Sequence, residues 1–102
     1  MKIAVNQVLT QFNGQPIMDM DDKGNAIPAT VKLALVNAIL APERDEKGVQ
    51  KVQKYELAKR IFKAEQEVEV TAEEVVLIKR CVEGAYAPLI VGQLNELLEG
   101  RQ

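Results

Sequence analysis

The side chains best suited to nucleophilic and acid–base chemistry are almost missing from this chain. It has no His and no Ser, and its one thiol is Cys81. Ser–His and Cys–His pairs, histidine general bases and imidazole metal ligands are therefore excluded within it. One cysteine without histidine cannot build a typical structural zinc site. Cys81 lies on an apolar helical stripe and reads as a small buried hydrophobe. What remains is carboxylate, Lys and Tyr chemistry, and no spacing marks a cleft for it. The chain is read as non-enzymatic, with no catalytic residue, no cofactor and no metal assigned.

Two motifs bear on ligand binding. Asp19, Asp21, Asp22 and Gly24 resemble the start of a calcium loop. Counted from Asp19, however, the fifth position is Lys23 and the twelfth is Thr30, where the EF-hand needs an oxygen ligand and a bidentate Glu. A solvated turn is the better reading. Gly24 and Gly48 stand alone, so no glycine-rich phosphate loop is present.

Charge is the one uneven property. Between Lys47 and Ala64 there are six cations (Lys47, Lys51, Lys54, Lys59, Arg60, Lys63) and one anion, Glu56. From Glu65 to Glu99 there are eight glutamates against Lys79 and Arg80. A basic helix face can meet phosphates or an acidic partner, because clustered cations gain from counterion release. It can equally be a solvated face balanced by glutamates of neighbouring helices or subunits. Lys51, Lys54, Lys59, Arg60 and Lys63 form the candidate basic surface.

The elements that must position these residues follow from pattern. Val8–Phe12 and Gln15–Met18 flank Asn13-Gly14, which predicts a hairpin with a type I′ turn. Pro16 belongs on its edge. Asp21–Asn25 should end the second strand. Thr30 caps a helix over 31–40 that is apolar nearly all round, and Pro42 stops it. A second helix over 49–65 shows Val52, Tyr55, Ala58 and Phe62 at helical spacing, with Leu57 and Ile61 beside them. Glu67–Val70 alternates as a short strand that could join the hairpin. Thr71 and Glu74 form a capping box for a helix over 72–83, with Gly84 as its C′ residue. Pro88 opens a fourth helix to Glu99, closed by Gly100.

The chain of 102 residues and 11.3 kDa predicts a single domain over 1–102, with a β-hairpin region at 1–28 and a helical region at 29–102. The fold class is α+β, mainly helical: about four helices, an N-terminal β-hairpin and one further short strand. The chain has no Trp, two Phe and two Tyr, so its core must be aliphatic, and a second copy could supply some contacts. No apolar run approaches ~18 residues, so no membrane span is expected. Met1–Val5 is too short for a leader. With its lone cysteine, the chain is expected in the reducing cytoplasm.

Four segments carry a family resemblance: Leu9–Ile17, Thr30–Leu40, Lys54–Phe62 and Ala85–Leu94. In this order they resemble a group of small proteins encoded by tailed bacteriophages and prophages, of about this chain's length. The resemblance implies a viral setting in a bacterial cytoplasm, with no activity and no catalytic residue to carry over. The expectation is a self-associating interaction protein, with a phage or host protein as possible partner and a role in virion assembly open. Leu33, Val36, Ile39 and Leu40 on the apolar helix are its candidate interface. The alternative is a nucleic-acid-binding regulator using the basic helix.

Overall fold

The computed structural model describes residues 1–100. In chain order the elements are β1 (Lys2–Ala4), β2 (Met18–Met20), β3 (Ala26–Pro28), α1 (Val31–Leu40), α2 (Gly48–Lys63), β4 (Glu67–Glu69), α3 (Ala72–Ala85) and α4 (Pro88–Leu98). The α+β class with four helices and short antiparallel strands is as expected. No helix is long and apolar enough to cross a membrane, among the described residues.

The strands pair differently from the sequence expectation. β1 pairs antiparallel with β4, setting Ile3 opposite Val68. The 67–70 segment thus joins the N-terminus rather than the hairpin, and it does so within one chain. Ile3 and Val68 point inward, while Glu67 and Glu69 stay in solvent, which is the alternation that suggested a half-buried strand. β2 pairs with β3 in a second two-stranded sheet. The Asp21–Asn25 turn ends β2, as expected, and joins it to β3.

Both N-terminal turns are three-residue loops. The Gly14 N–H donates to the Gln11 carbonyl at 2.9 Å, and the Gln11 N–H to the Gln15 carbonyl at 2.8 Å. Only Gly14 has positive φ (86°), so the turn is not type I′. The physical reason lies in Asn13: its Oδ1 accepts the Gln15 N–H at 3.0 Å, which suits a turn ending on a left-handed glycine. Asp21, Gly24 (φ 83°) and Asn25 repeat the pattern. Pro16 bridges Thr10 alone, because without an N–H it cannot extend a ladder. A closed ring of backbone bonds replaces that ladder. Leu9 donates to Ala29, Ala29 to Ile17, and Ile17 back to Leu9, at 2.8, 2.7 and 2.9 Å.

Helix ends follow local chemistry. Thr30 Oγ1 accepts the Leu33 N–H, and Thr71 and Glu74 close the expected capping box at 3.1 and 2.9 Å. α3 runs past its expected end: Gly84 lies within it, without positive φ, and Tyr86 is the C-cap. The Tyr86 N–H still bonds Val82, and its hydroxyl donates to the Ala34 carbonyl at 2.6 Å, so tertiary anchoring of Tyr86 outweighs the stop signal of glycine. Gln93 on α4 bonds the Thr10 backbone twice, accepting its N–H at 2.9 Å and donating to its carbonyl at 2.7 Å.

One core joins these pieces. It gathers Ile3, Val5 and Leu9 from the N-terminal segment, Leu35 and Ile39 from α1, Leu57 and Ile61 from α2, and Ile78, Val82, Leu94 and Leu98 from α3 and α4. α1 sits at its centre, packed on α2 and α3. That position explains a helix apolar nearly all round.

Candidate interaction site

The site begins with how α2 is rolled. Its sequence offers two overlapping apolar stripes. The structure buries Lys54, Leu57, Ala58 and Ile61, and leaves Val52, Tyr55 and Phe62 exposed. The expected stripe was Val52, Tyr55, Ala58 and Phe62, so the helix is turned by part of a rotation from that reading. The aliphatic stripe wins because Leu57 and Ile61 fill the α1-centred core while Lys54 meets carboxylates of the preceding loop.

That roll draws Lys54 inside. It is 4% exposed, and it is the one buried charged residue among those described. Its ammonium donates to Glu46 Oε2 at 2.5 Å, Glu43 Oε2 at 3.3 Å and the Ala41 carbonyl at 3.3 Å. Three acceptors match three donors, so the buried charge is fully partnered. Arg80 on α3 reaches the same Glu43 oxygen at 3.1 Å, tying the α1–α2 loop to two helices. Between the two glutamates Asp45 takes a left-handed conformation (φ 60°), which Asp tolerates better than most residues. Lys54 is thus a structural clamp and no part of a basic surface. Burial opposes its charged form most strongly, yet the hydrogen bonds to Glu46 and Glu43 outweigh it and the pKa rises. A lysine held protonated in this way is no nucleophile. Cys81 is buried nearby, and burial pushes its thiol pKa up against the pull of Lys54.

The other cations of α2 divide. Arg60 pairs with Glu74 of α3 at 2.6 Å, across a groove of about 530 Å³ between the two helices. Lys51, Lys59 and Lys63 are exposed, and none of them has a carboxylate at ion-pair distance among the described residues. Lys59 Nζ lies 5.8 Å from the Tyr55 ring centroid, and Lys32 of α1 lies 5.9 Å from that of Phe62. The outer face of α2 is therefore an apolar and aromatic stripe rimmed by free ammonium groups. Sequence reasoning placed these aromatics inside. The signal that could have revealed the roll is Glu43 and Glu46, two carboxylates in the loop preceding a helix with a lysine on its would-be inner face.

The candidate interface on α1 is mostly internal. Val36 and Ile39 are buried within the chain, Leu33 is half-buried, and Leu40 alone is exposed, at 54%. Burial inside one chain accounts for Val36 and Ile39 without a partner. The Asp19–Asp22 region forms a turn: Asp21 Oδ1 accepts the N–H groups of Asn25 and Lys23, which lower its pKa, the former contributing most. No group of His, Cys, Asp or Glu arranged to hold a metal occurs among the described residues. No protein-family model, curated protein or solved structure matches this chain.

Proposed function

We propose that this chain is a non-enzymatic interaction protein, of phage or prophage origin, working in the bacterial cytoplasm through the outer face of α2. The observation that supports this reading is the pairing pattern of α2. Lys54 and Arg60 are used internally, whereas Lys51, Lys59 and Lys63 surround exposed Val52, Tyr55 and Phe62 without internal partners. Aromatic side chains are common anchors of protein interfaces, and the rim around such anchors is polar. The phage setting rests on the resemblance of the four segments and on nothing else.

Self-association is the second reading, favoured by exposed Leu40 and by the separation of the basic α2 from the exposed glutamates Glu65, Glu67 and Glu69. Such charges could pair head to tail between copies. Absolute mass by size-exclusion chromatography with light scattering, at low salt with and without a DNA duplex, separates the readings. The expected result is the mass of one chain, 11.3 kDa, unmoved by DNA. A fixed multiple would establish self-association. A mass that rises with duplex and falls back at high salt would make the basic face a phosphate surface.

A further inference from the structure

We infer that the occupant of the outer α2 face is an amphipathic helix of another protein, with an apolar stripe flanked by carboxylates. This rests on the α2-face reading above and names its partner chemistry. Val52, Tyr55, Lys59 and Phe62 are spaced three, four and three residues apart, the a and d positions of a heptad pattern. All four are exposed. At 1.5 Å per residue they draw a nearly straight seam ~15 Å long on a convex helix surface. That shape receives another helix laid alongside it. A lysine within such a seam sets register and selects the partner at a cost in stability.

Charge narrows the choice. Lys51, Lys59 and Lys63 stand on α2 with Glu56 as that helix's one carboxylate, Lys32 of α1 reaches Phe62, and these lysines have no ion-pair partner among the described residues. Packing α2 of a second copy on this seam would set ammonium groups against one another, which disfavours a like pair. Single-stranded nucleic acid uses ring faces for base stacking. Here an ammonium lies over each ring, at 5.8 Å for Tyr55 and 5.9 Å for Phe62, so stacking would first displace Lys59 and Lys32. Carboxylates flanking an apolar stripe, in contrast, meet the lysines where they stand.

The test is a displayed library of helical peptides of about three heptads. Their seam positions are apolar, and their flanking positions vary among Glu, Lys and Gln. The library is selected on the full chain and, in parallel, on its Tyr55→Ser/Phe62→Ser variant. Both rings are exposed, so the variant should keep the wild-type thermal midpoint, which is measured alongside. The expected result is enrichment of Glu over Lys at the flanks by about tenfold, lost on the variant. Enrichment without charge preference, but lost on the variant, overturns the acidic partner and leaves the α2 face standing. Enrichment that persists on the variant overturns both. Oligothymidylate retained by the full chain and released by the variant assigns the face to nucleic acid and overturns the helical partner.

Discussion

Replacing Lys54 by alanine is expected to destabilise the chain by about 3–5 kcal/mol, the usual cost of removing one partner from a buried ion pair. The loss comes from what stays behind. The Glu46 side chain is only 7% exposed, and without the ammonium it is a desolvated carboxylate with no cation. Because single domains are stable by only ~5–15 kcal/mol, much of the margin disappears. Urea unfolding checks this, read as a lower midpoint at unchanged slope. Lys54→Met alone should behave much like alanine. Lys54→Met combined with Glu43→Gln and Glu46→Gln removes every charge of the cluster except Arg80, and should recover most of the loss. A Lys54→Ala variant within about 0.5 kcal/mol of wild type would show that Lys54 is solvated and that α2 is rolled otherwise.

The same cluster sets a pH signature. The folded pKa of Lys54 is raised, so its contribution is complete below the unfolded value and is lost as pH rises through the folded one. Glu43 is lowered, chiefly by the hydrogen bond from Arg80. Its contribution is present above the unfolded value and is lost as pH falls through the folded one. Stability should therefore decline at both ends. The alkaline decline should be smaller in the triple variant, where only groups outside the cluster's ammonium, such as the buried Cys81 and the half-buried Tyr86 whose pKa values burial raises, still lose stability as pH rises.

Val36→Asp is expected to unfold the chain rather than divide an assembly. Val36 is buried on the helix at the centre of the core, and an unpaired carboxylate there costs several kcal/mol, about 3–5. Circular dichroism should show lost helicity or a greatly lowered thermal midpoint. Leu40→Asp on the same helix is the control. That side chain is more than half exposed, so its substitution should cost about 1 kcal/mol, mostly from a carboxylate at the helix C-terminus, well short of unfolding. A folded Val36→Asp protein of reduced mass would return α1 to the role of an interface.

The contrast between Val36 and Leu40 shows what pattern alone can deliver. A helix apolar nearly all round had to be buried, and the sequence could not say whether its neighbours were its own chain or another. The caps at Thr30 and Thr71, the stop at Pro42 and the start at Pro88 were legible because each depends on a few adjacent groups. The pairing of Lys2–Ala4 with Glu67–Glu69 was not, since no local signal links strands so far apart in sequence. The Gly84 stop failed for a similar reason: a hydroxyl contact from Tyr86 to α1 overrode a local preference. On α2 the two stripes differ by part of a helical turn, and the winner was decided by carboxylates in the preceding loop. Lys54 was thereby misplaced on the surface, and Tyr55 and Phe62 in the core.

The central claim, that the outer face of α2 is the working surface, is tested most directly by site-specific photocrosslinking in the cells that make the protein. A benzophenone side chain replaces Tyr55 in one variant, fully exposed Phe12 at the first hairpin tip in a second, and exposed Val76 of α3 in a third. The predicted result is a discrete adduct from position 55, heavier than the chain alone, with none from positions 12 and 76. An adduct from position 12 or 76, with none from position 55, would contradict the account and move the working surface to that element.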